Sequence, residues 1–198
     1  MSEQFWWAVA RSGGILAWVL LAASVLWGLA LSTKVLGKHP RANWLLDLHR
    51  FLGGLAVVFT GIHVLALVFD SWVEIGITQI LVPFTSDYRP GAVAWGVVAL
   101  YLLAAVEITS LLRKHLSRRA WKATHLASFP LFAVATLHGV LAGTDADGPL
   151  VVIMTATTAV VVGLTVLRIG QARSKRARTP VTRGRTRPPI EPRKMTNA

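Results

Sequence analysis

The stretch HRFLGGLAVVFTGIHVLALVF, residues 49–69, decides how this chain is read. After Arg50 it carries no Asp, Glu, Lys or Arg until Asp70, which is enough apolar chain to cross a hydrocarbon core of roughly 30 Å as a helix. It also holds two imidazoles, His49 and His63, fourteen residues apart. Ionisable groups inside a span are costly and usually serve a function. A second apolar stretch holds another pair, His125 and His138, thirteen apart.

Working outward, the same uncharged pattern recurs. Ser12–Thr33 is free of charge and rich in Leu, Ala, Val and Trp. A signal peptide would need a basic start, but the first ten residues carry only Glu3, and the positive charges Lys34, Lys38 and Arg41 follow the run. A retained first span is therefore expected, with Trp6 and Trp7 as interfacial anchors. The second span is expected to begin near Trp44 and end at Asp70. Ala92–Leu112, Thr124–Gly143 and Leu150–Leu167 make the third, fourth and fifth. Between spans two and three, Trp72 to Phe84 is too short to cross and reads as an interfacial segment. Pro130, inside the fourth span, removes one backbone hydrogen bond and predicts a bend there.

Charge orients the bundle. The chain has 21 Lys and Arg against 9 Asp and Glu, a net charge of +12. These bases cluster after span one, after span three (Arg113, Lys114, Arg118, Arg119, Lys122) and after span five. The acids fall in the other segments, such as Asp70–Asp87 and Thr144–Gly148. The positive-inside rule then places the N-terminus outside and the C-terminus in the cytoplasm of a plasma membrane, bacterial in type. The same placement argues against nucleic acid as the partner of the basic residues and for membrane lipid. Gln171–Ala198, with nine Lys or Arg and four prolines, cannot build a core. The expected organisation is a transmembrane domain over residues 1–169 and a disordered basic cytoplasmic tail over 170–198. The fold class is an all-α membrane protein, a bundle of five transmembrane helices.

Spans two and four run in the same direction. His49 and His125 are therefore expected at one depth near the inner face, and His63 and His138 at another near the outer face, the levels about 19–21 Å apart. Fourteen helical residues return nearly to the same face; thirteen do not. The bend at Pro130 is the expected remedy. Two imidazoles facing each other across two helices suit the axial positions of a haem iron. Gly53, Gly54 and Gly61 thin the second helix for such a macrocycle, and Gly139 and Gly143 do so near His138. Arg50, Lys122 and Arg119 are candidates to hold inner propionates. Zinc or copper is disfavoured, since the pairs are too far apart to share one ion and the chain has no Cys. Cys-ligated clusters and covalent c-type haem are excluded on the same ground. The plainer alternative, in which the histidines are polar lining of a scaffold or small transporter, must explain four of them matched in depth. Glu107, the one charge in span three, reads as a headgroup-level carboxylate paired with Arg113 or Lys114; the alternative is a proton carrier. His39 and His115 read as bystanders.

From about Trp44 to Arg168 the sequence resembles the ferric reductase-like transmembrane domain superfamily, which includes the membrane halves of ferric reductases and NADPH oxidases and the YedZ/MsrQ haem subunits. The resemblance rests on the His49/His63 and His125/His138 pairs and on Arg119-Ala-Trp-Lys-Ala-Thr-His125, which matches the family's Trp-x-x-x-His. It implies two stacked b-type haems between spans two and four, the inner on His49/His125 and the outer on His63/His138. It also implies electron transfer from an inner donor to an outer acceptor. The chain counts one span fewer than six-span relatives, and no Gly-x-Gly-x-x-Gly follows its last span. The expected donor is thus a separate flavoprotein or a membrane quinol, the chain being an oxidoreductase component without its own flavin or NADPH domain. A quinone-linked subunit that feeds an extracytoplasmic reductase is the variant of this reading.

Overall fold

The computed structural model describes residues 3–33, 35, 42–73, 75–143 and 148–178. Seven α-helices occur among them: α1 Glu3–Thr33, α2 Ala42–Phe69, α3 Ile77–Leu81, α4 Pro90–Leu111, α5 Arg118–Leu126, α6 Ser128–Ala142 and α7 Pro149–Arg178. No strand is present among the described residues. Five helical stretches are long and apolar enough to cross a membrane: α1, α2, α4, the α5–α6 pair and α7. The chain is an integral membrane protein of the all-α class. Leu65, Val152 and Val166 on the outside of the bundle are exposed. A lipid-facing surface tolerates this, because only the backbone groups demand partners and the helices satisfy those internally.

α1 is the central helix. Trp18, Ala22, Val25 and Leu29 recur every three or four residues and form one buried stripe, packed on Phe132 of α6 and on Met154 and Val161 of α7. The Trp18 indole N–H donates to Thr136 Oγ1 at 2.9 Å, which satisfies a buried donor across α1 and α6. Leu29 is the most enclosed of these side chains, 1% exposed. Leu29→Ala is expected to destabilise the bundle by about 2–5 kcal/mol through the cavity left behind, read from the midpoint of denaturant-induced unfolding in detergent.

α1 also lies along the whole of α2, and α4 packs against α6 and α5. By backbone, α2 barely approaches α6. The bundle thus contains two helical hairpins, α1/α2 and α4/α5–α6, that touch through α1 and α6.

Three expectations about the elements need correcting. The first helix begins at Glu3 rather than Ser12, because Trp6 packs on Phe69 at the end of α2, with ring centres 5.0 Å apart. The last helix runs on to Arg178, past the boundary at 169/170. Ala, Arg, Lys and Gln are good helix formers and extend an existing helix without a new nucleus. Residues 179–198 lie outside the described residues, as do Lys34, Lys38, His39, Arg41 and the acidic turn 144–147.

The third correction is the place of the break in span four, which sits at Ala127 rather than Pro130. Proline lacks the N–H that would bond to Leu126, and its ring crowds that carbonyl, so the distortion falls on the preceding turn. Ala127 (φ −64, ψ −9) bonds back to Thr124 O at 2.9 Å, three residues away, and regular bonding resumes with Leu131 N–H to Ala127 O at 2.9 Å.

Between α2 and α4, Asp70, just past the end of α2, accepts from the Trp72 N–H at 2.9 Å and so shapes the turn that leaves the helix. Trp72, Ile77 and Phe84 face outward, whereas Ile75 is buried. Arg89, in a left-handed conformation just before Pro90, donates to the carbonyls of Leu141 at 2.8 Å and Gly143 at 3.3 Å. A cation on the last carbonyls of α6 complements the negative end of that helix and ties the loop to it.

Candidate functional site

The four span histidines meet as two pairs. The rings of His49 and His125 have centres 5.9 Å apart with planes crossed at 82°. Those of His63 and His138 are 6.3 Å apart and crossed at 71°. The thirteen-residue interval is accommodated at the break. A turn closed by three-residue bonding winds through three residues rather than 3.6, so it adds rotation in the direction needed. This brings His138 to the same side as His125.

Each ring is held from behind by the partner helix of its own hairpin. His63 Nδ1–H donates to the Ala10 carbonyl on α1 at 2.6 Å, and His49 Nδ1–H to the Ser24 carbonyl at 2.9 Å. On α4, the Ala92 carbonyl accepts from His138 Nδ1–H at 2.8 Å. A carbonyl can only accept, so these three bonds put the proton on Nδ1 and leave the Nε2 lone pair free. The fourth ring differs: His125 Nδ1 lies 3.5 Å from the Ser110 hydroxyl.

Close approach of ring to helix needs a residue without a side chain. A Cβ on Gly96 would stand 2.7 Å from His138 Cε1, and one on Gly14 would stand 2.9 Å from His63 Nδ1. Gly28 plays the looser counterpart against His49, at 3.3 Å. In all three cases the glycine lies four residues after the accepting carbonyl. Sequence reasoning missed these glycines, although Gly14 and Gly28 repeat the fourteen-residue spacing of His49 and His63.

Of the glycines singled out from sequence, Gly139 and Gly143 line the cavity beside His138. A Cβ on Gly54 or Gly61 would meet nothing within 4 Å, Gly139 faces Met154, and Gly53 makes room for the Glu107 carboxylate, 2.8 Å from its would-be Cβ. Glu107 therefore points into the junction of α1, α2 and α4 and forms no ion pair with Arg113 or Lys114. The Arg113 guanidinium lies instead over Trp121, 4.4 Å from the ring centre, and Trp121 in turn stacks on His125 at 5.1 Å. The buried indole N–H of Trp121 has no acceptor among the described residues. Arg50 pairs with Asp47 at 3.6 Å on the surface, and Lys122 and Arg119 are exposed on α5; among the described residues no hydrogen bond or ion pair joins any of them to the histidines.

At the His63/His138 level a cavity of about 300 Å³ opens between α1, α2, α4 and α6, with Arg11, Gly14, Trp18 and Gly96 in its wall. The segment between α2 and α4 covers it with Ile75, Gln79 and Tyr88. Arg11, inside α1, also lies over the Trp7 ring at 5.0 Å. Among the described residues, no three His, Asp or Glu side chains converge on one point. Each level brings two imidazoles together.

A family model, described as a ferric reductase like transmembrane component, matches residues 13–136. No curated protein and no solved structure matches the chain.

Proposed function

This chain belongs to the ferric reductase-like transmembrane family, and from that membership we propose that it is a di-haem b-type cytochrome that moves electrons across the membrane. The observation that carries the reading is the pair of imidazoles at each of two levels, with Nδ1 of His49, His63 and His138 tied back to a carbonyl and their Nε2 left free. The ring centres of the two pairs, 5.9 and 6.3 Å apart, leave space between the imidazoles where they would hold an iron. The unpartnered Trp121 N–H fits too, as a donor for an acidic substituent beside His125.

Bound there, a b-type haem supplies an iron that takes up and releases one electron without a free coordination site. The chain's own residues do the rest. His49 and His125 hold one level, and His63 and His138 the other. Ala10, Ser24 and Ala92 fix three of the tautomers and raise the basicity of those rings through their hydrogen bonds. The apolar walls keep water away. Arg50 and Lys122 supply positive charge for propionates on the basic side, and Arg11 does so in the cavity at the other level. That basic side is the cytoplasmic one, so the His49/His125 level receives electrons from a separate flavoprotein or a quinol. The His63/His138 level passes them to an acceptor outside.

A quinol as donor has one observation behind it. Its oxidation releases protons with the electrons, and Glu107, one turn from Ser110 at the His49/His125 level, is a carboxylate without an ion pair among the described residues. Purified protein should show reduced b-type absorption bands and two haems per chain. A folded preparation that binds no haem would defeat the reading. Rapid reduction by quinol in isolated membranes, lost in Glu107→Gln, selects the quinol over the flavoprotein.

A further inference from the structure

The backing of the histidines is a fourfold pattern with one exception. On α1, an accepting carbonyl and a glycine four residues later occur as Ala10/Gly14 and, fourteen residues on, Ser24/Gly28. On α4 they occur as Ala92/Gly96. Fourteen residues on from these stand Val106 and Ser110. The fourth histidine, His125, is where the pattern puts it, but the glycine is a serine.

We propose that Ser110 is a positioning residue for the His49/His125 level: it keeps the His125 ring off the Val106 carbonyl, offers a weaker acceptor, and so raises the potential of the haem held there. This rests on the di-haem reading. The steric half follows from the other three places, where a Cβ would come within 2.7–3.3 Å of the ring. Ser110 has that Cβ, and His125 Nδ1 lies 3.5 Å from its hydroxyl and makes no hydrogen bond to the Val106 carbonyl, whereas the other three rings lie 2.6–2.9 Å from theirs.

The electronic half follows from ligand basicity. A strong Nδ1–H bond to a carbonyl pushes electron density to Nε2, which favours the ferric state and lowers the potential. A hydroxyl at 3.5 Å does this weakly. A carbonyl also fixes the tautomer, whereas a hydroxyl can donate or accept and does not. The stack of Arg113 on Trp121 on His125 acts in the same direction, by placing a positive charge on the ligand's side of the level.

The test is an optical redox titration of the purified, haem-loaded protein, with components assigned by His138→Ala, which leaves the His49/His125 haem. Ser110→Gly removes the Cβ, lets the ring reach the Val106 carbonyl, and should shift that component to lower potential. Ser110→Ala removes the hydroxyl but keeps the Cβ, leaves Nδ1 without an acceptor, and should shift it to higher potential. Ser110→Thr keeps the hydroxyl and should stay with the unmodified protein, and the His63/His138 component should not move in any of them. Shifts of opposite sign from two such small changes are not what a mere space-filler produces. No shift, shifts of the same sign, or loss of that haem from both Ser110→Gly and Ser110→Ala overturns the proposal. A protein without haem fails the di-haem reading instead, and the two failures are told apart by haem content alone.

Discussion

Gly96→Ala is expected to lower bound haem from two per chain to one. The new methyl carbon would stand 2.7 Å from His138 Cε1 and 2.8 Å from Nδ1, inside any real carbon contact. The ring cannot yield freely, because its Nδ1–H is bonded to the Ala92 carbonyl one turn away on the same helix. Either that bond breaks, at about 0.5–1.5 kcal/mol, or the helices part, at the roughly 1–3 kcal/mol typical of overpacking. Both routes move Nε2 out of line with His63. Gly14→Ala should do the same from the opposite side, through His63. Gly163→Ala, on α7 where a Cβ meets nothing within 4 Å, is the control and should keep both haems. Haem content by extraction against protein concentration decides the matter; two haems in Gly96→Ala with unchanged bands would refute it.

The second large effect concerns the histidines themselves. His63→Ala and His138→Ala should each remove one and the same haem, and His49→Ala and His125→Ala the other. A variant lacking one histidine from each level should bind none. This independence follows from the scaffold: His49, His63 and His138 are each anchored to their own carbonyl, His125 lies beside Ser110, and the levels are about 19–21 Å apart along the helices. Loss of an outer-sphere hydrogen bond alone typically costs a metal site 10–100-fold in affinity, and loss of the ligand more. Haem content and reduced-minus-oxidised spectra of the four single variants supply the check. If any single variant loses both haems while remaining folded, the two levels are one coupled site and the assignment fails.

Much of this was legible in the sequence because the bilayer imposes a coarse rule. Long uncharged runs such as Phe51–Phe69 leave little choice of structure, and the four histidines stand out against them. What stayed hidden depends on which helix lies behind which. The acceptors for His63 and His138 are carbonyls of Ala10 and Ala92, groups present in every residue and informative only once α1 and α4 are in place. The glycines that press on the rings, Gly14 and Gly96, sit on those backing helices, so the sequence around the histidines does not point to them. Glu107 misled for a similar reason: Arg113 is near it along the chain, but the Trp121 ring is the better partner for a guanidinium. Pro130 announced a bend correctly, while its physical effect falls one turn earlier, at Ala127.

The two hairpins bear on how such a protein is assembled. Within α1/α2, His49 and His63 are already aimed by Ser24 and Ala10; within α4/α5–α6, His138 and His125 are already aimed by Ala92 and Ser110. Each hairpin is a finished jaw before it meets the other. On the di-haem reading, a cofactor held by both pairs would bridge α2 and α6, which hardly approach each other, and would fasten the two hairpins beyond their packing through α1 and α6.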